Sequence, residues 1–144
     1  MKLQRSMLML TLLACTWILS GCATGGATVD TSASTSGLSC SEAGRIDVQM
    51  AAEAEVVGLN CFFKDYKGVK SLHFDVKVKN VSSTDQRYRV NLFLDNGKAV
   101  GGLLPRKGKP PIVKPGEEAS FSYPLQGMAE RAGNVTLVVK TVSQ

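Results

Sequence analysis

The sequence predicts an all-β domain built as an antiparallel sandwich of about seven short strands in two sheets. Three observations lead to this prediction: apolar and polar residues alternate in several runs, turn-forming residues separate the runs, and almost no stretch has the 3.6-residue period of a helix. A strand with one apolar face needs a second layer to cover it, which favours two packed sheets. A partly open barrel is the alternative architecture.

The clearest alternation lies in residues 71–80, where apolar side chains occupy every second position from Leu72 onward. Residues 87–95 alternate in the same way, and the polar turn between the two runs predicts that they form a hairpin. Residues 95–97, Asp-Asn-Gly, tolerate positive φ, so a tight turn is expected to lead into a further strand at residues 99–104.

Four further runs are predicted strands, and residues 112–113 predict a short sheet edge. The four runs are residues 45–50, 56–63, 119–123 and 134–142. Between the first two, residues 51–55 have a helix-forming composition and predict a short helical turn. Residues 114–117 have the sequence Lys-Pro-Gly-Glu, with proline and glycine at the positions that a type II turn prefers.

A basic segment rich in proline, residues 105–111, is expected to form an exposed loop, because proline lacks the N–H donor that a central strand needs. We call this segment the basic proline loop. Arg106, Lys107 and Lys109 lie close together in it, and a rigid loop loses little entropy when it docks onto an acidic surface. These three residues are the candidate partner-binding site. The alternative is an ordinary solvated loop.

A second candidate surface is the polar face of residues 71–80, together with two arginines beyond the following turn. Its members are His73, Asp75, Lys77, Lys79, Arg87 and Arg89. The alternative is that this face is simply solvated. His73 is the only histidine in the chain, and its place in the alternation predicts an exposed side chain on the wet face of a strand.

The predicted domain contains two cysteines, Cys40 and Cys61. A disulfide between them would close a loop of about 20 residues and stabilise the fold by about 3 kcal/mol on the loop-entropy argument. A domain of this size gains from such a bond, because a small core buries a limited area. A reactive thiol or a metal pair is the alternative, although the chain has no C-x-x-C spacing.

No catalytic, metal or nucleotide constellation stands out in the sequence. A hydrolytic triad needs a histidine base beside an activated nucleophile, and no G-x-S-x-G context singles out a serine as a partner for His73. Gly101, Gly102 and residues 107–109 lack the G-x-x-x-x-G-K-[ST] pattern of a phosphate-binding loop. We therefore expect no cofactor, no bound metal, no small-molecule substrate and no enzymatic activity.

The N-terminal segment has the layout of an export signal. Lys2 and Arg5 precede an apolar run at residues 7–19. This run is too short to cross a bilayer, since a spanning helix needs about 20 apolar residues. An ordinary secretory signal, an uncleaved anchor and a lipoprotein signal all begin in this way, and the residues that follow distinguish between them.

Residues 19–22 are Leu-Ser-Gly-Cys, and they match all four positions of a lipobox, which is an aliphatic residue, two small residues and a cysteine. In this the chain resembles bacterial prolipoproteins. The resemblance implies that residues 1–21 are removed as a signal peptide and that Cys22 becomes the lipidated first residue. Ala23 stands where inner-membrane lipoproteins have aspartate, so the resemblance also implies sorting to the outer membrane.

Residues 22–39 form the predicted lipidated tether, because they are rich in glycine, serine and threonine and contain too few apolar groups for a core. A flexible coil of this length spans about 20–25 Å. The domain itself occupies residues 40–144 and is expected to stay close to the membrane surface.

The domain carries a pattern that also resembles a family. The pattern is Val76-x-Val78-x-Asn80-x-Ser82-Ser83, Tyr88-Arg89, Phe93-x-Asp95-x-Gly97 and Pro115-Gly116, followed by an apolar final strand. Within residues 72–142 it resembles the YcfL-like group of small Gram-negative lipoproteins and, more broadly, FxLYD-type immunoglobulin-like domains. The resemblance implies an immunoglobulin-like sandwich in the periplasm, with no established enzymatic activity and no catalytic residues.

The charge balance argues against a nucleic-acid partner. The chain has 17 basic and 12 acidic residues, and loss of Lys2 and Arg5 with the signal leaves 15 basic residues against 12 acidic ones. A net charge of about +3 favours weak attraction to anionic lipid or to an acidic protein, whereas nucleic-acid binding needs clustered basic residues.

Together these features predict a membrane-anchored lipoprotein of the outer membrane that faces the periplasm and acts as a non-enzymatic protein-binding or accessory module. The expected partners are the membrane, through the lipid anchor, and a protein of the cell envelope. The alternative is a structural subunit that anchors a larger secretion, pilus or flagellar assembly to the outer membrane.

Overall fold

The computed structural model describes residues 40–142, apart from the side chains of residues 41–44, and this part of the chain forms seven β-strands and no helix. The strands are β1 (Ser41–Met50), β2 (Ala54–Tyr66), β3 (Val69–Asn80), β4 (Tyr88–Leu94), β5 (Ala99–Leu104), β6 (Glu118–Leu125) and β7 (Ala132–Thr141). The predictions that fall on residues 1–39, namely the signal peptide, Cys22 and the tether, lie outside the described residues.

The strands form two sheets that pack face to face around a shared core. The large sheet has four strands in the order β1-β7-β4-β5, and the small sheet has three in the order β2-β3-β6. All paired strands run antiparallel except β1 and β7, which are parallel. The predicted immunoglobulin-like β-sandwich of about seven strands is confirmed.

Two connections between the described strands are hairpins, β2–β3 and β4–β5, while the other four pass from one sheet to the other. The hairpin predicted between residues 71–80 and 87–95 is therefore wrong, because β3 belongs to the small sheet and β4 to the large sheet. Alternation identifies a half-buried strand but does not identify its neighbour. The apolar faces of β3 and β4 meet across the core.

The helical turn predicted at residues 51–55 is also wrong. Residues 51–53 make a tight turn, in which the Ala54 amide donates to the Ala51 carbonyl at 3.0 Å, and Ala54 already begins β2. Helix propensity is weak evidence over so short a stretch, because a helical nucleus is costly and strand pairing overrides it.

The core lies between the sheets, where alternate residues of the central strands are buried. The small sheet contributes Leu72, Phe74, Val76 and Val78 from β3, and the large sheet contributes Val90, Leu92, Leu137 and Val139 from β4 and β7. Full burial of an apolar side chain of this size stabilises the fold by about 1.5–3 kcal/mol. Alternation in the sequence thus assigns the inward face of these strands correctly.

Two turns show the geometry that their residues favour. Gly116 has a φ of 77°, and the Glu117 amide donates to the Lys114 carbonyl at 3.0 Å, which confirms the predicted type II turn. Lys67 and Gly68, with φ of 52° and 80°, connect β2 to β3. Two successive positive φ values are typical of a type I′ turn, whose twist matches that of the strands it joins.

The strand directions define two opposite ends of the sandwich. One end, which we call the Cys40 end, holds Cys40, the β2–β3 and β4–β5 turns and the connection from β6 to β7. The other end, which we call the loop end, holds the β1–β2 turn, residues 81–87 and residues 105–117. Each candidate surface lies at one of these ends or on the faces between them.

Candidate functional site

The basic proline loop lies at the loop end, between the end of β5 and an isolated bridge that pairs Val113 with Gln86. Residues 106–110 are all exposed and form no strand, as predicted. Lys107 and Lys109 are exposed among them. Their ammonium groups are therefore available to an acidic surface.

Arg106 is placed differently from the two lysines. The centre of its guanidinium group lies 3.7 Å from the centroid of the Phe121 ring and 5.3 Å from that of Tyr123. Its Nη2 atom lies 3.5 Å from the Gly101 carbonyl oxygen. A cation over an aromatic face is an attractive contact, so Arg106 covers the core where β5 and β6 approach each other. The guanidinium group of Arg106 is thus held against aromatic rings of its own domain, although the residue as a whole is exposed.

Two glycines in β5 make room for this contact. A Cβ atom on Gly102 would lie 2.5 Å from Nη2 of Arg106, so a side chain there would displace the guanidinium group. A Cβ atom on Gly101 would collide with the carbonyl oxygen of Val90 in the adjacent strand. The Gly101-Gly102 pair therefore serves the packing of β5 against β4 and against Arg106.

Asn80 holds the loop end together from the inside. Its fully buried side chain makes four hydrogen bonds: Nδ2 donates to the carbonyls of Thr84 (2.7 Å) and Val113 (2.8 Å), and Oδ1 accepts from the amide (2.9 Å) and hydroxyl (2.8 Å) of Ser82. Its backbone pairs with residues 116–117 as well. One side chain thus joins β3 to both large loops of this end and fixes their arrangement.

Tyr88 and Tyr123 are both fully buried, but they differ in hydrogen bonding. The Tyr88 hydroxyl donates to the Glu53 carbonyl at 2.9 Å, whereas that of Tyr123 has no partner in the described part of the chain. Burial raises the pKa of both side chains to about 12; the charge of Glu53 adds to the effect at Tyr88, and that of Arg106 opposes it at Tyr123. Both phenols are therefore neutral at pH 7.

His73 is buried, and the prediction that it is exposed is wrong. Only 8% of the residue is exposed, its ring stacks on Phe62 at a centroid distance of 5.2 Å, and Tyr66 approaches edge-on at 6.2 Å. Its Nε2 atom is buried without a hydrogen-bond partner among the described residues. Alternation assigns a residue to one face of a strand, but it does not show that rings from the neighbouring strand, here β2, cover that face.

The predicted charged surface is divided between the two sheets. Its β3 members lie on the small sheet, and Lys77 Nζ lies 3.6 Å from Glu118 Oε2. Arg87 directly precedes β4 and Arg89 lies within it, in the large sheet. The six residues therefore do not form one surface, because the turn that was expected to join them crosses the sandwich.

The Cys40–Cys61 disulfide predicted from the sequence is present, with an S–S distance of 2.04 Å and a Cα–Cα distance of 5.1 Å. It links the residue before β1, in the large sheet, to β2, in the small sheet. The bond thus crosslinks the two layers at the Cys40 end. Cys22 lies outside the described residues, and its lipidation stays a prediction.

β2 and β3 form a hairpin that the sequence analysis did not predict, and β2 is longer than the strand predicted at residues 56–63. β2 continues to Tyr66, three residues beyond the predicted end at Phe63, and the hairpin gathers Lys64, Lys67 and Lys70 around its turn. The available signal was the Lys67-Gly68 pair, because glycine at the second position of a two-residue turn indicates a tight hairpin.

The described surface includes a shallow depression of about 400 Å³ between the ends of β1 and β7 and another of about 270 Å³ across β4 and β5. Neither is lined by a histidine, a cysteine or a carboxylate. Within residues 40–142, no group of three or more His, Cys, Asp or Glu side chains is placed to hold a metal ion. No helix in this part of the chain is long and apolar enough to cross a membrane.

Comparison with models of protein families, with curated proteins and with solved structures gives no match to this chain. Its function is therefore inferred from its own residues and their geometry.

Proposed function

We propose that this chain is a lipoprotein of the cell envelope that acts as a non-enzymatic protein-binding or accessory module. In this proposal a lipid on Cys22 anchors the chain to the outer membrane, and residues 22–39 lead from the anchor to Cys40. The observation that carries the proposal is that Cys40 lies at one end of the sandwich and the large loops lie at the other. A domain anchored through Cys40 presents its loop end to the periplasm.

The loop end supports a binding role because it is both ordered and basic. Asn80 ties residues 81–87 and 105–117 to β3. Lys107 and Lys109 are exposed on the second of these loops. Loops that are ordered before binding lose little conformational entropy on association. The lysines favour a partner with an acidic contact surface, since complementary charge steers the encounter.

The amino terminus of the mature protein tests the anchor. Mass spectrometry of protein from a Gram-negative host is expected to show that the chain begins at Cys22 and carries a diacylglyceryl group on its sulfur. The Cys22→Ser variant is expected to lose this group and its tight membrane attachment. A bare amino terminus on membrane-bound protein contradicts the proposed anchor.

Photo-crosslinking in intact cells tests the binding role. A photoreactive residue that replaces Lys107 is expected to crosslink the domain to one envelope protein. The same residue in place of Lys64, at the opposite end, is the matched control and is expected not to give that product. Equal yields from both positions contradict the proposal. Recovery at fixed stoichiometry within a large complex would favour a structural subunit of an envelope assembly instead.

A further inference from the structure

At the Cys40 end, the β2–β3 hairpin extends beyond the end of β6, the third strand of the small sheet. β6 pairs with β3 only from Leu72 to Lys79, so residues 64–71 form a two-stranded ribbon. Tyr66, the last residue of β2, lies five residues beyond Cys61. This distance is about 17 Å at the rise of an antiparallel strand. The ribbon therefore projects past Cys40, where the chain leads back toward residue 22.

The end of this ribbon, residues 62–70, is basic and partly apolar, and we call it the hairpin tip. Its charged residues are three lysines and one aspartate, all exposed: Lys64, Lys67, Lys70 and Asp65. The hairpin tip also contains two exposed large apolar side chains, Phe62 (40% exposed) and Val69 (42% exposed). Lysines beside exposed apolar groups are typical of surfaces that bind at a membrane interface.

Aromatic rings give the hairpin tip a fixed shape. Lys67 Nζ lies 5.4 Å from the centroid of the Tyr66 ring, and Lys70 Nζ lies 4.8 Å from that of Phe63. Tyr66 packs edge-on against the buried ring of His73. Tyrosine has an apolar body and a polar end, so it suits the headgroup level of a bilayer. The tip thus presents ordered rings and cations together.

We propose that the hairpin tip docks on anionic phospholipid headgroups. This inference rests on the proposed function, because a lipid on Cys22 is what places a bilayer at the Cys40 end. In the docked state the lysine ammonium groups contact lipid phosphates, and the Phe62 and Val69 side chains enter the interfacial layer. The lipid anchor and the hairpin tip then fix the orientation of the domain, with the loop end directed away from the membrane.

The first test measures binding of the unlipidated chain, residues 23–144, to vesicles. Residues 40–142 contain both sheets and the core between them, so this chain retains the fold. Binding is expected to vesicles that contain phosphatidylglycerol, to be absent with phosphatidylcholine alone, and to weaken as salt screens the charges. Failure to bind the anionic vesicles at low salt overturns the proposal.

A charge-matched pair of variants tests the location of the contact. The tip variant carries Lys64→Gln, Lys67→Asn and Lys70→Gln, and the loop variant carries Lys107→Gln, Lys109→Gln and Lys114→Gln. Asparagine at position 67 creates Asn-Gly, a pair that type I′ turns favour, so the hairpin is expected to be retained.

Each lysine near an anionic surface strengthens binding about fivefold, so we expect the tip variant, which loses three lysines, to bind roughly 100-fold more weakly. The loop variant should bind within about threefold of the unchanged chain, because its lysines lie at the far end. Equal losses in both variants overturn the proposal, because net charge alone then explains the binding.

A fluorescent probe tests contact directly. Trp17 is the only tryptophan of the chain, so residues 23–144 contain none. Tyr66→Trp places one at the hairpin tip, and Val81→Trp places one at a 49% exposed position of the loop end. Anionic vesicles are expected to shift the emission of the first to shorter wavelength and to leave the second unchanged. A shift confined to position 81, or equal at both positions, overturns the proposal.

These tests are separate from the test of the anchor. The chain used with vesicles carries no lipid, so its failure to bind overturns the docking surface and leaves the proposed anchor standing. A bare Cys22 in cells removes the anchor and leaves the measured vesicle binding unaffected.

Discussion

At the scale of single residues, Asn80 does the most to order the loop end. Each polar atom of its side chain has two hydrogen bonds, and the partners belong to two different loops. The sequence pattern Asn80-x-Ser82 therefore has a structural meaning, because Ser82 supplies both donors to Oδ1. The other two bonds reach Thr84 and Val113, and Val113 lies 33 residues away in the chain.

Asn80→Ala is expected to lower the free energy of unfolding by about 2–4 kcal/mol, because the loop carbonyls and the Ser82 donors lose their partner together. Asn60→Ala, at an exposed position of β2, is the control and should change the free energy by less than about 0.5 kcal/mol. Urea unfolding measures both. Equal stability of the two variants would show that the buried hydrogen bonds of Asn80 make no net contribution to the free energy of unfolding.

Tyr88 and Tyr123 are expected to make the fold unstable in alkali. Their pKa values are about 12 in the folded state, against an ordinary 10. The folded state therefore holds these protons more tightly than the unfolded state, so stability is complete below pH 10 and is lost as the pH rises to 12. Each phenol contributes up to about 1.4 kcal/mol per pH unit in that window. Urea unfolding midpoints measured at several pH values between about 8 and about 12 report this loss of stability.

Phenylalanine variants separate the two phenols. Tyr88→Phe loses the hydrogen bond to the Glu53 carbonyl and is expected to cost about 1 kcal/mol at pH 7. Tyr123→Phe removes a buried hydroxyl that has no described partner, so we expect no loss or a gain in stability at that pH. Each variant should show a smaller loss in alkali. If both variants are destabilised equally at pH 7, the Tyr123 hydroxyl has a hydrogen-bond partner in the folded protein.

At the scale of elements, the sequence predicts where strands lie better than how they pair. β3, β4 and β7 were predicted because one face of each packs into the core, and burial of one face imposes alternation. The turn residues 95–97 correctly predicted that β4 is followed by a hairpin partner, β5, but the other neighbours were not predictable in the same way. β3 pairs with β2 and β6, and β4 pairs with β5 and β7. Long-range contacts decide these pairings, such as the alignment of Leu92 in β4 with Leu137 in β7, and they leave no local pattern.

The two glycines of β5 are expected to respond differently to alanine. Gly101→Ala brings a methyl group against the backbone of β4, which cannot move alone, so we expect a loss of about 2 kcal/mol or more. Gly102→Ala meets only the end of the Arg106 side chain, and a loss below about 1 kcal/mol is expected. Urea unfolding of both variants measures the difference. A larger effect at position 102 would show that the Arg106 contact matters more to β5 than its fit against β4.

The disulfide is expected to contribute about 3 kcal/mol, because it closes a loop between residues separated by 21 positions and so restricts the unfolded chain. The variant with Cys40→Ser and Cys61→Ser should lose that amount in denaturant unfolding. Reducing agent should lower the stability of the unchanged domain similarly and leave the double variant unaffected. An equally stable double variant would show that packing alone holds β1 to β2.

At the scale of the whole molecule, the candidate sites were predictable only where exposure follows from the local sequence. The prolines around Lys107 and Lys109 exclude a central strand, so an exposed loop followed from composition. The positions of Arg106 and His73 did not follow. Phe121 lies on β6 and Phe62 on β2, and the topology brings these rings against them from elsewhere in the chain.

The sandwich is expected to fold without the residues that precede it. The described core cluster begins at Cys40 and ends at Val139, and both sheets are complete within residues 40–142. A chain that begins at residue 38 should therefore unfold in one transition at the same Tm as a chain that begins at residue 23, within about 2 °C. A chain that begins at residue 41 lacks the disulfide, and its Tm should fall by more than about 10 °C if a loss of about 3 kcal/mol applies. Scanning calorimetry of the three chains distinguishes the cases. A lower Tm for the chain from residue 38 would show that residues 23–37 pack on the sandwich, in which case they are part of the folded domain and not a tether.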